Sequence, residues 1–282
     1  MVYGPVGISD WDIRRGPPGD VVVEQREDYY DKVPESTINA ERFDQAPCLV
    51  ARKIRYVLCS TQRSGSFLLC RQLINAGIGV PQEYFNPLHV QTLCSRWGFR
   101  PRDEGSEFYI RALYDKRTAP NGVWGTKLQW WQYQKYQPAI DRALRDTACY
   151  IYLYRTDTAA QAVSLHLSIV TGIWGFDGAK TTREQPHIHM GDLGHVARCE
   201  QIIAGENKNW EDFFARRKIQ CLSIQYEKFV ADQSGYITLV AQFLGLRENA
   251  YRLPPPEPRE NQWPNEIDAV RRELLQRLRA AQ

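Results

Sequence analysis

The chain has 282 residues, of which 43% are hydrophobic and 24% charged, and its formal net charge is +3. These ordinary globular values exclude a wholly disordered, collagen-like or coiled-coil chain. No apolar run approaches the ~18 residues of a membrane span, and residues 1–20 lack the apolar segment of a signal peptide. We therefore expect a cytoplasmic protein, with no nucleic acid as a partner at so small a net charge.

The N-terminal part of the chain differs from the rest. Residues 1–52 contain Gly-Pro pairs, scattered charges and little periodicity. This composition predicts an extension that wraps the domain or is partly disordered. Residues 53–282 are expected to form one domain.

That domain opens with a strand, a loop and a helix. A short apolar strand at 55–60 leads through a polar loop into helical spacing at 67–76, which stops at Gly77. Further short apolar runs favour a parallel sheet covered on both faces. The predicted strands lie at 123–128, 149–154 and 221–225, and the helices at 132–145, 157–171, 196–217, 234–244 and 266–280.

The seven cysteines are interpreted as structural thiols. Their number is odd, no CxxC pair occurs, and Cys59, Cys149 and Cys221 lie inside apolar segments. This pattern is typical of reduced, buried cysteines rather than of a disulfide framework or a zinc site. We expect no metal site, because the sequence offers no clear cluster of metal ligands.

The first candidate site is the loop between the first strand and helix, Thr61–Ser66. Such a turn directs backbone N–H groups and a helix N-terminus at one point, which suits an anion. Gly65 allows close approach of the backbone, two serines add hydroxyl donors, and Arg63 adds a planar cation. The loop is not a Walker A motif, since no GK[ST] follows the glycine. A simple helix cap with an exposed arginine is the alternative.

A second basic residue follows the strand at 149–154. Arg155 comes at its carboxyl end, before a helix capped by Thr156 or Asp157 and carrying Ser164. Ligands of open α/β sheets bind at the carboxyl ends of strands, so Arg155 is expected at the same edge as the loop. A surface arginine at a helix start is the alternative.

Two other segments carry candidate residues. Glu83 lies in an aromatic, proline-bounded loop, where neighbouring Tyr84 and Phe85 are expected to raise its pKa and suit it to act as a general base. Lys127 falls near the end of the strand at 123–128, and Trp130 beyond it offers a flat face for a sugar or base. Solvation of the glutamate and core packing of the tryptophan are the alternatives.

In this order, these segments resemble the sulfotransferase superfamily, and most closely the bacterial trehalose 2-sulfotransferase-like family. The likeness spans roughly residues 54–262. It is carried by four motifs, TQRSGS at Thr61–Ser66, PQEYF at Pro81–Phe85, NGVWGTKLQW at Asn121–Trp130 and RTDTAAQAVS at Arg155–Ser164. A Tyr-Glu unit near Tyr226, which the residues alone mark as scaffold, recurs across sulfotransferases more widely.

The resemblance implies a three-layer α/β sandwich with a central, mostly parallel sheet, a P-loop-like phosphosulfate-binding strand–loop–helix, and a homodimer. It also implies the donor 3′-phosphoadenosine-5′-phosphosulfate (PAPS). Glu83 would be the base, Arg63 and Lys127 would offset charge on the sulfuryl group, and Tyr84, Phe85 and Trp130 would line the acceptor pocket with Glu83. The donor would be held by Thr61, Gln62, Arg63, Ser64, Gly65, Ser66, Arg155, Ser164 and Arg259.

One position departs from the family pattern. Phe67 stands where the loop usually ends in a second hydroxyl residue, so one donor to the phosphosulfate is expected to be missing unless Ser66 replaces it. The sequence thus predicts a PAPS-dependent sulfotransferase acting on a carbohydrate or glycolipid hydroxyl by in-line displacement. A non-catalytic sugar- or nucleotide-binding protein of the same fold and a P-loop-type kinase are the alternatives.

The last predicted helix is amphipathic. Its apolar side carries Ile267, Val270 and Leu274, and arginines lie elsewhere around it. Such a helix packs on its own domain or on a second subunit, or lies on an anionic membrane near a lipid-linked acceptor.

Overall fold

The computed structural model describes residues 41–44, 54–100, 105–144, 148–174, 187–258 and 263–280. These residues fall into two compact units. The larger unit takes its described residues from 35–156 and 205–259, and the smaller from 157–204 and 260–282. The predicted boundary between an extension and a single domain at residues 52 and 53 stays a prediction.

The strands of the described chain are β1 (Ile54–Ser60), β2 (Val123–Gln129), β3 (Ala148–Tyr154) and β4 (Cys221–Gln225). The helices are α1 (Ser66–Ala76), α2 (Pro87–Arg96), α3 (Glu107–Arg117), α4 (Trp130–Leu144), α5 (Thr158–Thr171), α6 (Leu193–Arg217), α7 (Tyr226–Ala231), α8 (Gln233–Phe243) and α9 (Asn265–Ala280). The four predicted strands and the six predicted helices are all present, with ends shifted by at most three residues.

The larger unit is built on a parallel sheet in the order β2-β1-β3-β4. Alternate side chains of β1 enter two different cores, because successive residues of a strand point to opposite faces. Tyr56 and Leu58 pack with α1 and α8, while Val57 and Cys59 pack with α3 and α4. Helices therefore cover both faces, and the predicted three-layer α/β sandwich with a parallel sheet is confirmed.

Three helices, α2, α3 and α7, were not predicted from the sequence. The predicted loop around Glu83 is bounded by Pro87, and this proline occupies the first turn of α2 behind the Asn86 cap. Proline is tolerated there, since the first turn has no partner for its missing N–H. Asn86 Oδ1 accepts from Leu88 N at 3.2 Å.

The predicted structural role of the cysteines agrees with their surroundings. Cys59, Cys70, Cys94 and Cys199 are free and buried, and Cys149 and Cys221 are free and half-buried. Burial raises the pKa of Cys70 to about 12, which keeps its thiol protonated and unreactive. Cys48 lies outside the described residues.

One residue of the predicted extension is fixed to the larger unit. Asp44 Oδ1 lies 2.9 Å from Nη2 of Arg117, whose side chain is fully buried. Arg96 Nη2 donates to both oxygens of Asp44, at 2.9 and 2.8 Å. The carboxylate thus offsets two guanidinium charges beside α2 and α3.

Replacing this carboxylate is expected to destabilise the larger unit. Asp44→Ala leaves the buried charge of Arg117 without this partner, so we expect the free energy of unfolding in urea to fall by about 2–4 kcal/mol. Asp212→Ala is the control, because the Lys208–Asp212 pair is exposed and should contribute less than about 1 kcal/mol. Equal losses in the two variants would contradict the prediction.

The smaller unit has a core of its own. Residues of α5, α9 and the first half of α6 form one apolar cluster. Leu274 and Leu275 of α9 are buried in it, and Ile267, Val270 and Leu278 pack against it. The apolar side of α9 is therefore used within this unit, which favours internal packing over membrane contact. No helix among the described residues is long and apolar enough to cross a membrane.

Candidate active site

The predicted anion loop joins β1 to α1. Thr61, Gln62, Ser64 and Ser66 are all buried, so the loop is part of the packed interior. The Ser64 hydroxyl has no hydrogen-bond partner among the described residues. The cap residue of α1 is Gly65, and no side chain caps the helix. The loop therefore combines a hydroxyl without a partner among the described residues with the uncapped first turn of a helix, and both are donors of the kind that an anion site uses.

The backbone of the loop adopts a left-handed conformation at two residues. Arg63 has φ 59°, a left-handed conformation that costs a non-glycine residue roughly 1–2 kcal/mol. Gly65 has φ 86°, and a Cβ there would lie 2.1 Å from Cε2 of Tyr226. Only glycine fits beneath this ring. The Tyr226 unit, interpreted as scaffold, therefore shapes the loop.

Arg155 reaches the loop from the end of β3. Its Nη1 donates to the carbonyl oxygen of Arg63 at 3.5 Å, and its guanidinium carbon lies 5.2 Å from the centre of the Tyr226 ring. The prediction that Arg155 lies at the same sheet edge as the loop is confirmed. Glu227 holds the following turn, because its two carboxylate oxygens accept from Thr156 N, each at 3.2 Å.

The two arginines place like charges close together. Burial, and then the charge of Arg155, lowers the pKa of Arg63 to about 10. Glu227 offsets part of this positive charge, since its Oε1 lies 3.8 Å from Arg155 Nε. Two guanidinium groups at one loop are suited to binding an anion.

The segment that carries Glu83 is attached to β2. Lys127 N donates to the carbonyl oxygen of Gln82 at 2.9 Å, and the Thr126 hydroxyl donates to the same oxygen at 3.2 Å. These bonds place the Glu83 carboxylate beside Lys127, with Oε1 2.5 Å from Nζ. Lys127 is only 2% exposed, so this ion pair lies in the interior.

Two amides complete the surroundings of this carboxylate. Gln129 Nε2 donates to Glu83 Oε1 at 3.1 Å, and Gln132 Nε2 donates to Oε2 at 2.9 Å. Burial by itself would raise the pKa of Glu83, but Lys127 and the hydrogen bonds lower it to about 2. The expected raised pKa is therefore wrong. Glu83 is therefore ionised and accepts hydrogen bonds throughout the neutral range.

Three residues expected to line the acceptor pocket lie in the core of the larger unit. Tyr84 and Phe85 are fully buried, and the Tyr84 hydroxyl donates to Val80 O at 2.7 Å. Trp130 packs edge-on against Trp210, with 5.0 Å between ring centres. Their packing supports the segment around Glu83 and β2, and their contact with an acceptor stays a prediction.

A buried carboxyl group near the loop was not predicted from the sequence. Glu206 of α6 is 8% exposed, and Gln62 Nε2 donates to its Oε1 at 3.5 Å. With the Gln62 amide turned over, its nitrogen lies 2.9 Å from Oε2. Burial raises the pKa of Glu206 to about 8, although the bond from Gln62 acts in the opposite direction. Its sequence context, GENKNW, is polar and gave no signal of burial.

The high pKa of Glu206 predicts a pH-dependent stability. The folded state holds a proton between about pH 4.5 and 8 that the unfolded state releases, so stability falls as pH rises through this range. Glu206→Gln removes this loss, and we expect it to raise the free energy of unfolding by about 2–4 kcal/mol at pH 8. At pH 4.5 the variant and the wild type should be alike. Urea titrations at both pH values test this, and a pH-independent difference would contradict it.

Two expected donor ligands remain to be placed. Ser164 lies half-buried in α5 of the smaller unit. Arg259 lies outside the described residues.

Asp157 is the cap of α5, as predicted, and its Oδ1 accepts from Ala160 N at 2.9 Å. Among the described residues, no group of three or more His, Cys, Asp or Glu side chains is arranged to hold a metal ion.

Comparison with known proteins identifies relatives of this chain. Residues 55–279 match the family model described as Stf0 sulphotransferase. A protein of Mycobacterium tuberculosis named trehalose 2-sulfotransferase is 26% identical over 262 residues, which cover 79% of this chain and 97% of the relative. A protein of the same name from Mycolicibacterium smegmatis is 24% identical over 226 residues, which cover 67% and 84%.

Solved structures with sulfotransferase titles are also similar. Mouse sulfotransferase SULT7A1 complexed with PAP has 14% identity and a TM-score of 0.40, covering 83% of this chain and 67% of that one. A sulfotransferase from Alicyclobacillus acidocaldarius has 16% identity and a TM-score of 0.44, covering 81% and 96%. Both scores are low, and membership of the family rests on the match over residues 55–279.

Proposed function

Because the chain belongs to the Stf0 sulphotransferase family, we propose that this sulfotransferase uses PAPS to sulfate a hydroxyl of a carbohydrate or glycolipid. The observation that carries the proposal is a single sheet edge with two kinds of group. Arg63 and Arg155 supply buried positive charge, and the Glu83–Lys127 pair supplies a carboxylate and an ammonium. A polyanionic donor and a neutral hydroxyl need these two groups side by side.

The residues of the loop fit the phosphate groups of such a donor. The buried Ser64 hydroxyl and the uncapped first turn of α1 offer hydrogen-bond donors. Arg63 lies within the loop, and Arg155 lies beside it on the next strand. We assign the 5′-phosphosulfate to the loop with Arg63. The 3′-phosphate is assigned to Arg155. The family likeness also implies Ser164 and Arg259 as donor ligands, and both stay predictions.

The reaction needs one proton transfer and one displacement. The acceptor oxygen forms a bond to sulfur while the bond from sulfur to the donor phosphate breaks, and the electron pair leaves with that phosphate. Glu83 takes the hydroxyl proton, and Arg63 and Lys127 offset the charge that builds up on the transferred and leaving oxygens. Positioning and electrostatics supply most of the acceleration in this kind of displacement.

The acceptor is proposed from the names of the relatives. Two of them are named trehalose 2-sulfotransferase, so trehalose is the first carbohydrate to test. The family membership argues against the P-loop-type kinase, in agreement with the missing GK[ST]. A non-catalytic binding protein of the same fold remains the alternative that the assay must reject.

Sulfate transfer from radiolabelled PAPS tests the proposal. The purified full chain is incubated with the donor and with trehalose, other sugars or glycolipids, and we expect one sulfated product for each nucleotide released. Tight binding of 3′-phosphoadenosine 5′-phosphate (PAP) without transfer to any acceptor would favour the non-catalytic alternative. Absence of PAP binding by folded protein would overturn the choice of donor.

Three wider expectations belong to the same proposal. We propose a cytoplasmic location, which suits a donor and an acceptor inside the cell. We also propose a homodimer, on the basis of the family likeness, and sedimentation of the full chain tests it. Peripheral contact with a membrane is the third, and it would have to use the polar side of α9, because the apolar side packs inside the smaller unit.

A further inference from the structure

The aromatic side chain at the start of α1 touches the ion pair of the site. Phe67 is 37% exposed, although it directly follows the buried end of the anion loop. Lys127 Nζ lies 4.3 Å from the centre of the Phe67 ring. An ammonium at this distance over an aromatic face is attracted by the negative face of the ring.

The contacts of Lys127 define its position from two sides. Its Nζ lies 4.3 Å from the centre of the Phe67 ring and 2.5 Å from Glu83 Oε1, and its backbone nitrogen donates to Gln82 O. The side chain is only 3% exposed, so the ring replaces water around the ammonium. A flexible lysine chain loses much of its freedom in such an arrangement.

We propose that Phe67 is a positioning residue, which holds the Lys127 ammonium between the anion loop and the Glu83 carboxylate. An aliphatic residue of similar size cannot do this, because it has no negative face. A hydroxyl residue would present an acceptor to the ammonium but no surface to exclude water. In this proposal, Phe67 does not donate a hydrogen bond to the PAPS donor, as a hydroxyl residue at this position would. It fixes the position of the Lys127 ammonium instead.

This inference rests on the proposed function only for its effect on catalysis. The contact between ring and ammonium is a property of the protein without its donor. If Lys127 offsets charge in the transition state, a misplaced ammonium lowers kcat more than it raises the KM for the donor. A merely structural role of Phe67 would change stability instead.

Four proteins test the proposal: the wild type, Phe67→Leu, Phe67→Tyr and Phe108→Leu. Leucine removes the aromatic face, tyrosine keeps it, and Phe108 is an exposed phenylalanine of α3 that serves as the matched control. Two quantities are measured in each. One is the ring-current shift of the Lys127 ε-methylene protons by NMR, assigned through Lys127→Met, and the other is kcat with the KM for PAPS.

We expect Phe67→Leu to abolish the ring-current shift and to lower kcat by about 3- to 30-fold, with little change in KM. Phe67→Tyr should keep both, and Phe108→Leu should alter neither. An unchanged Lys127 signal in Phe67→Leu, or an unchanged kcat in an active enzyme, would overturn the proposal. A lost shift with no sulfate transfer even by the wild type supports the contact but overturns the proposed function, so the two failures are distinguishable.

Discussion

Glu83→Gln is expected to lower the turnover of sulfate transfer by about 10²- to 10⁴-fold, while PAP binding changes little. In the proposal, the Glu83 carboxylate takes the proton of the acceptor hydroxyl. Its low pKa, about 2, keeps it ionised at neutral pH and also makes it a weaker base than an ordinary carboxylate. A neutral amide in its place keeps the shape of the side chain but accepts no proton.

The pairing of Glu83 with Lys127 affects how the variant is interpreted. Removing the negative charge of Glu83 leaves the buried Lys127 ammonium without its carboxylate partner. In comparable cases this lowers the free energy of unfolding by about 3–5 kcal/mol. A poorly folded single variant would therefore lose turnover for a trivial reason. The double variant Glu83→Gln with Lys127→Met removes both charges and restores a neutral interior.

Three measurements separate the base from a structural ion pair. The folded fraction of each variant is measured by urea unfolding, PAP binding by calorimetry, and turnover with radiolabelled PAPS. Glu83→Asp, which retains the carboxylate, should keep more turnover than Glu83→Gln. If a folded Glu83→Gln protein transfers sulfate at the wild-type rate, Glu83 is not the base.

The strands and helix starts that position the site could be predicted from the sequence, because local sequence patterns determine them. Apolar runs bounded by turns predicted the four parallel strands, and strand ends of a parallel sheet lie at one edge. Arg63 and Arg155 were therefore expected together, and their contact at 3.5 Å agrees with that. The helix start at Asp157 was likewise visible from its capping chemistry.

The pKa of Glu83 could not be predicted in the same way. Its nearest neighbours in sequence, Tyr84 and Phe85, suggested an apolar pocket. The residues that determine its charge lie more than 40 positions away, on β2 and α4. The bonds from Lys127 N and the Thr126 hydroxyl to the Gln82 carbonyl bring them to the carboxylate.

Residues buried by tertiary packing escaped prediction for a related reason. Glu206 lies in a polar stretch of α6 that has the composition of a solvated surface. Its burial follows from tertiary packing of the second half of α6 within the larger unit, which no local sequence pattern encodes. The hydrogen bonds from Gln129 and Gln132 to Glu83 were not predicted, because nothing in the sequence around these amides links them to a carboxylate more than 40 residues away. Phe67 was noticed only as a missing hydroxyl, since its contact with Lys127 requires the fold.

Arg155→Ala is expected to weaken PAP binding by about 10- to 100-fold and to leave adenosine 5′-phosphate binding nearly unchanged. A charge-assisted pair of hydrogen bonds to a phosphate contributes about 1.5–3 kcal/mol, which corresponds to that ratio. Arg155 is 9% exposed and held by Tyr226 and Glu227, so its guanidinium is in place before a ligand binds. Calorimetry with the two nucleotides isolates the 3′-phosphate, because they differ only in that group.

Two further variants make this measurement decisive. Arg155→Lys keeps the charge but not the planar fork, and its affinity for PAP should lie between those of Arg155→Ala and the wild type. Arg142→Ala removes an exposed arginine of the same unit, paired with Glu107, and should bind both nucleotides normally. If Arg155→Ala weakened both nucleotides equally, the residue would support the loop through Arg63 rather than recognise the 3′-phosphate. If it weakened neither, the anion site would consist of the loop alone, and the donor would have to be sought among nucleotides without a 3′-phosphate.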